Sequence, residues 1–345
     1  MNEIYVNGCG AVSPAGWGIA PLRAAMANGT PLPAYDLARP GWTKPLKMRQ
    51  VPPPEPRPAF LAHARLRRTS PIAQYMVSAA LEALGGDALL VKNGSLCLGI
   101  VFCAMSGCVN YSRRFYDEAL RDPVTASPLI FPETVFNAPA SHLATLLGTQ
   151  AMNYTIIGDP GTYLQGLALA AQWLNDTRVD GCLVIGSEEC DWLTSDAFRL
   201  FSRQVVLSDG AGAIYLKRDT GSAQSIEMRW VTDSHLFSKN CTRASAARQV
   251  RAQLPPSIDD HLLSDSLQGI PRLDAAELNA WRDWTGGRIS AKTILGEGLM
   301  AATAWQCVLA IDALKQGRYA AANVSVVGSN QQAIGAHFVN GGFKS

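Results

Sequence analysis

Apolar positions in this chain come in short unbroken runs, separated by stretches with helical spacing. Ile4-Tyr5-Val6 predicts a short strand, Ser13-Pro14-Ala15-Gly16 a turn, and residues 19–27 a helix closing at Gly29. Ser70 reads as an N-cap and Pro71 as a first-turn residue of a helix that carries Met76, Ala80 and Leu84 to Gly85-Gly86. Residues 96–102 predict a strand, 134–147 a helix, 153–157 a strand, 162–174 an apolar helix and 182–185 a further strand. The turn Ser208-Asp209-Gly210-Ala211-Gly212 leads into a strand over 213–216. Strands that are apolar on both faces and alternate with helices predict an α/β fold with covered sheets.

The second half carries fewer signals. Residues 226–231 predict a strand, 242–254 and 275–284 helices, and 301–314 a long helix with Ala301, Trp305, Val308, Leu309, Ile311 and Leu314 as its apolar positions. A strand over 323–327 closes the pattern. The layout is α/β, a variable middle, then α/β again, as in one duplicated domain with halves at 1–217 and 218–345. Residues 37–58 interrupt it, ending Val51-Pro52-Pro53-Pro54-Glu55-Pro56-Arg57-Pro58. Proline lacks the N–H that a helix or inner strand needs, so the Pro-rich segment 40–58 is expected as an exposed loop. It serves either as a surface connection or as a ligand for a proline-reading module.

Of the 345 residues 48% are hydrophobic and 17% charged, enough to bury a large core and too apolar for disorder. Thirty basic against 28 acidic residues give a net charge of +2, too even for a protein that coats nucleic acid. No uncharged apolar run reaches the ~18 residues of a membrane helix. The start, Met1-Asn2-Glu3-Ile4, lacks the basic segment of a signal peptide, so a soluble cytoplasmic protein is expected. Eight cysteines lie mostly in apolar stretches, with no C-x-x-C pair and no Cys/His zinc spacing; buried, reduced thiols and no metal are expected.

Five stretches, in order, resemble one family. They are Val6-Asn7-Gly8-Cys9-Gly10-Ala11-Val12-Ser13-Pro14-Ala15-Gly16, then Asn153-Tyr154-Thr155, then Asp209-Gly210-Ala211-Gly212-Ala213. Lys292 with Gly296 and Ala301-Ala302 follow, and finally Ser329-Asn330. The set resembles the ketosynthases (β-ketoacyl synthases) of fatty-acid and polyketide synthesis. The resemblance implies a thiolase-like fold, two βαβ halves in a five-layered α/β/α/β/α core, normally a dimer. Here it would be shortened around residues 40–60 and 217–275.

The resemblance also implies a chemistry whose parts are missing. Decarboxylative condensation needs a thiolate at a helix N-terminus, an oxyanion hole and two imidazoles. In Ile157-Gly158-Asp159-Pro160-Gly161-Thr162, Pro160 occupies the family's nucleophile position, and it has neither a nucleophile nor an N–H for the oxyanion hole. Asp159 is expected to N-cap the following helix with Pro160 at its first position. The same alignment puts Ser266 and Glu297 in place of the two histidines and Gln306 in place of a glutamate. Ile334 falls at the loop position that donates the second oxyanion N–H. Only Lys292 is retained, expected in an ion pair with Glu297. No catalytic residue and no cofactor follow.

A ketosynthase-like chain without a nucleophile resembles the chain-length factors that pair with an intact ketosynthase and bound its acyl tunnel. The short chain and the Pro160 corner are most similar to the inactive ketosynthase-like partner of aryl polyene synthesis. The strand Asn153, Tyr154, Thr155, Ile156, Ile157 would then lie at the subunit interface. A helix over 131–137 would line the tunnel, with Val135 and Phe136 setting its depth unless they are core residues. Lys44, Lys47, Arg49, Arg65, Arg67 and Arg68 form either a solvated face or an attraction for an acidic acyl carrier protein. Such a chain would be no enzyme by itself. The alternative is an independent acyl-transferring or condensing enzyme whose nucleophile has moved, for example to Cys103 or Cys108 beside one of the five histidines. His142 is expected to pack on an interface-side helix.

Overall fold

The computed structural model of the chain describes residues 3–150, 152–218, 225–329 and 331–343. The first half runs β1 (Tyr5–Ser13), α1 (Ile19–Asn28), α2 (Pro71–Leu84), β2 (Leu98–Ala104), α3 (Val109–Arg121), α4 (Ala138–Leu147), β3 (Asn153–Ile157), α5 (Thr162–Asn175), β4 (Gly181–Glu188), α6 (Trp192–Phe198) and β5 (Gly210–Lys217). The second runs β6 (Ile226–Val231), α7 (Arg243–Gln253), β7 (His261–Ser264), α8 (Pro271–Ala280), β8 (Gly287–Ile289), α9 (Ala291–Leu295), α10 (Met300–Lys315), β9 (Ala321–Val327) and β10 (Gln332–Asn340). β1 extends well past the predicted Ile4-Tyr5-Val6 because glycine lets α2 lie directly on it. A Cβ on Gly8 would stand 1.9 Å from the Ala83 carbonyl oxygen, and one on Gly10 2.0 Å from that of Ala79.

These ten strands follow the order β8-β7-β9-β10-β6-β1-β5-β4-β2-β3. Each half thus repeats one topology: β3-β2-β4-β5-β1 corresponds to β8-β7-β9-β10-β6. In both, four strands run in one direction and one, β5 or β10, runs against them. The halves meet where Tyr5 and Val6 of β1 pair with Glu227 and Ile226 of β6.

Three apolar clusters separate the layers. α2 and α4 cover the outer face of the first half through Met76, Ala80, Leu143 and Leu147 against Ile100, Phe102 and Ile185. α5 and α10 lie between the half-sheets, where Leu164 and Leu167 join Ala301, Trp305 and Val308 in one core with Val101, Val184, Val324 and Val326. α7 and α8 close the far face through Ala246, Val250 and Ala280. The order is α/β/α/β/α. α10 shows no polar stripe because it is buried along its length except at Asp312 and Lys315 near its end, and Trp305 Nε1 donates from it to Val12 O (3.0 Å) and Ala211 O (2.9 Å).

Three local expectations change. The segment 40–58 is not all exposed loop: Leu46–Arg49 is a strand between Tyr35–Leu37 and Leu207–Ser208, with Leu46 and Met48 buried. The helix expected over 134–147 begins at Ala138, since Pro139 suits a first turn and holds the residues before it out of helical geometry. The α2 N-terminus is capped by Glu189 rather than Ser70. Its carboxylate accepts the Ile72 N–H (3.1 Å) and the Ser70 hydroxyl.

Candidate functional site

β3 feeds α5 through Gly158-Asp159-Pro160-Gly161, and the buried Asp159 carboxylate organises this corner. Oδ1 accepts the Gly161 N–H at 3.0 Å and Gln332 Nε2 at 2.9 Å; Oδ2 accepts the Gln332 N–H at 3.3 Å. Burial pushes the Asp159 carboxyl up from its ordinary pKa, and the bonds from Gln332 and Gly161 pull it back. The expected N-cap is corrected: α5 starts at Thr162 with Gly161 at its cap. Asp159 and Pro160 form the turn before it, because the carboxylate is drawn toward the β9–β10 hairpin. A Cβ on Gly328 would stand 2.0 Å from Asp159 Oδ2, so this bend of the hairpin sits against the carboxylate.

Two of the other expected positions, Ser266 and Gln306, reach the same hairpin, while Lys292 and Glu297 pair with each other at the α9–α10 turn. Ser266 is buried; its hydroxyl donates to Glu277 and accepts the Val327 N–H at 3.0 Å. Glu277 also accepts the Ser325 hydroxyl at 2.6 Å, and burial raises its pKa against these hydrogen bonds. Lys292 Nζ lies 2.8 Å from Glu297 Oε2, the ion pair expected, with both side chains enclosed. Glu297 accepts Gln268 Nε2 at 3.0 Å and, through Oε1, the Leu299 N–H at 2.9 Å. Leu299 is a buried leucine at φ 53°, a left-handed conformation that this bond helps to hold. Gln306 Nε2 donates to Ser325 O at 3.1 Å. Ile334 is not in a loop: it lies within β10 opposite Val326 and packs against Gly161. Asn330 lies outside the described residues.

Two residues at this centre escaped sequence reasoning. Arg243, in the first turn of α7, donates to the carbonyls of Val327 (3.1 Å), Gly328 (2.6 Å) and Ser329 (3.1 Å). Burial lowers its pKa, and the carboxylates of Glu277, Asp274, Glu297 and Asp159 act against that. Its partners lie 84 to 86 residues on, which no local pattern reports. Gln332 left a signal that was passed over: a pair of glutamines, Gln331-Gln332, follows Ser329-Asn330, where the resembled family has a glycine-rich loop. Pro160, Ser266 and Glu297, which the resemblance aligns with a thiol and two imidazoles, stand among buried carboxylates and amides that are hydrogen-bonded or ion-paired.

β3 lies at the end of the sheet, and β2 is its ladder partner among the described residues. Tyr154 and Ile157 are 51% and 56% exposed, and the Tyr154 ring packs on Trp173 of α5 at 5.0 Å. Asn153 Oδ1 and Thr155 Oγ1 are buried without a partner; Ile156 packs inward against the central core. Residues 131–137 are not the helix expected. Phe131–Glu133 is a single 3₁₀ turn, and Val135 and Phe136 follow in a bend, partly exposed, with the Phe136 ring over Gly107. His142 Nε2 contacts Glu133 Oε2 at 2.8 Å and ties this turn to α4. α3 beside it buries no residue.

The alternative nucleophiles fare poorly. Cys103 and Cys108 are buried, and burial pushes both thiols far up from the ordinary range. His337 bonds Asn323 Oδ1 at 2.8 Å and His235 contacts Gln253. The basic set divides: Arg49 donates to Leu32 O and Lys47 pairs with Asp36, while Lys44, Arg65, Arg67 and Arg68 are exposed. No helix of the described residues is long and apolar enough to cross a membrane.

Duplicated half-sheets around two enclosed helices are the architecture of the thiolase-like fold, which ketosynthases share. No family model matches the chain, and no curated protein matches it in sequence. Solved structures do. A beta-ketoacyl synthase from Burkholderia phymatum is 15% identical with a TM-score of 0.79, covering 99% of this chain and 100% of that one. The ishigamide ketosynthase/chain length factor is 18% identical with a TM-score of 0.78, covering 98% and 99%. The ketosynthase ApeO in complex with its chain length factor ApeC, from Xenorhabdus doucetiae, is 11% identical with a TM-score of 0.77, covering 98% of both. At these identities the likeness is one of fold.

Proposed function

We propose that the chain is a non-catalytic, chain-length-factor-type subunit. It pairs with an intact β-ketoacyl-ACP synthase in polyketide or fatty-acid-type elongation, stabilises that partner and shapes its acyl tunnel. The observation that carries this is the corner itself: Pro160 stands where the nucleophile is expected, and Asp159 beside it is hydrogen-bonded to Gln332. A carboxylate in that place opposes thiolate formation on any neighbour. Pro160, Ser266 and Glu297 are then lost positions, and Lys292 is structural. The two fold-similar structures that pair a ketosynthase with a chain length factor support the same reading.

The edge strand Asn153–Ile157 is the proposed contact with the partner. An unpaired edge with exposed Tyr154 and Ile157 and without lysine or proline is one that proteins ordinarily cover. Val135 and Phe136 are the proposed tunnel-lining residues. The acyl carrier protein is met indirectly, through the partner. The reading divides the chain at 217/218, places it in the cytoplasm and, on the short chain and the Pro160 corner, assigns it to aryl polyene synthesis.

Co-expression with an intact Cys-His-His ketosynthase is expected to give a one-to-one complex. Mass spectrometry with carrier-linked acyl substrates is expected to find the acyl group on the partner. An acyl adduct on this chain alone, with turnover that one Cys→Ala change abolishes, overturns the proposal.

A further inference from the structure

A cavity of about 470 Å³ opens between α1, the β8–α9 segment and the end of α10, in the size range of small-molecule sites. Its walls are two helices. α1 presents Arg23 and Met26, and α10 presents Leu309 and Asp312; Gln316 just beyond it, Arg288, Ile294 and Arg318 complete it. The floor is apolar: Leu309 and Ile294 are buried, and Met26 is partly so. The rim is cationic: three guanidinium groups line it with the carboxylate of Asp312, and a second carboxylate, the buried Asp265, stands behind Arg288.

That carboxylate is already committed. Asp312 takes a two-point ion pair from Arg23 (Nε 2.7 Å, Nη2 2.6 Å) and a hydrogen bond from Gln316 (2.8 Å). The pair fixes the Arg23 guanidinium at the mouth and leaves Asp312 little to offer Arg288 or Arg318. Arg318 stacks 5.6 Å from the Tyr319 ring and has no carboxylate within 4.0 Å among the described residues. Arg288 donates to Trp281 O at 3.1 Å, with its second nitrogen 3.6 Å from the buried Asp265. A planar guanidinium suits a carboxylate or phosphate through paired N–H bonds, and two such groups above an apolar floor select an anion that carries hydrocarbon.

We propose that this groove between α1 and α10 binds one small amphiphilic oxyanion, its charged head at Arg318 and Arg288 and its apolar body against Met26, Ile294 and Leu309. The site lies apart from the Asp159 corner and does not depend on the partner-subunit reading. Carboxylate and phosphate heads share this chemistry, and the test separates them.

Octanoate, octyl phosphate and inorganic phosphate are titrated calorimetrically into the full-length protein, or into its co-purified complex, at pH 7 and low salt. One octyl anion is expected to bind per chain, at least tenfold tighter than inorganic phosphate, and more weakly as salt rises. The tighter of the two octyl ligands identifies the head group. Arg318→Gln and Arg288→Gln are each expected to weaken binding about tenfold, and Met26→Asp to abolish it. Arg318 is exposed, so R318Q tests the site without disturbing the core. The distant Arg67→Gln is expected to bind as the parent does. No saturable binding by either octyl anion overturns the proposal, as does binding that R318Q and R288Q leave unchanged. Inorganic phosphate binding as tightly as octyl phosphate overturns the apolar half of the assignment.

Discussion

Lys292 Nζ lies 2.8 Å from Glu297 Oε2, and each side chain is closed off from solvent. The pair joins α9 to the turn that enters α10, five residues apart in the chain. Removing one partner of such a pair strands the other charge in the interior, which costs about 3–5 kcal/mol. Lys292→Met is therefore expected to destabilise the fold by that amount in denaturant titration. Lys292→Met combined with Glu297→Gln is expected to recover at least half, because Gln keeps an acceptor for the Leu299 N–H. A double variant no more stable than Lys292→Met would show that the charge pair is not the cause.

Arg243 holds the β9–β10 hairpin by three carbonyl oxygens. Arg243→Met leaves those acceptors without their donor, a loss on the order of 3 kcal/mol. Native-state hydrogen exchange is expected to quicken at Val327 and Gln332 before it does in β4 or β5. Uniform quickening across the sheet would assign Arg243 a global role instead of a local one.

Asp209 introduces a pH dependence. Its carboxylate accepts the Cys190 N–H at 2.7 Å, and burial raises its pKa from 3.8 to about 7. Between those values the folded chain binds this proton and the unfolded chain does not, so the group lowers stability as pH rises from about 4 to 7. Below about 4 both states are protonated and the penalty vanishes; above about 7 it is fully present. Asp209→Asn is expected to flatten the loss of stability between pH 5 and 7 relative to the parent, read from denaturation midpoints at a series of pH values. Parallel curves would remove Asp209 as the source.

Ile157 tests the proposed edge-strand contact. Ile157→Asp adds a charge at an exposed site, so the isolated chain should keep its stability to within about 0.5 kcal/mol. Retention of the partner ketosynthase in co-purification is expected to fall at least tenfold. Unchanged retention would move the interface away from β3.

The architecture was legible in the sequence wherever burial is one-dimensional. Apolar runs such as Leu98–Ala104 and the apolar length of Met300–Lys315 signal enclosure on every side, because a strand or helix without a polar face has none to give to water. Segments with mixed signals were harder. Leu46 and Met48 read as part of a proline-rich loop because their partner strand, Leu207–Ser208, lies some 160 residues on. The turn at Phe131–Glu133 and the late start of α4 at Ala138 followed from Pro132 and Pro139, residues that a periodicity count passes over.

By itself the sequence determined that Pro160 occupies the strand-to-helix corner, that Lys292 and Glu297 stand five residues apart, and that helices and strands alternate. Those are properties of residue type and spacing. Only the tertiary structure decided what the corner became. Asp159 turns from the expected helix cap to Gln332, Ser266 meets Val327, and Arg243 closes over Gly328. Each bond spans more than 60 residues, and buried polar groups must find partners wherever the fold brings them, whatever their separation along the chain.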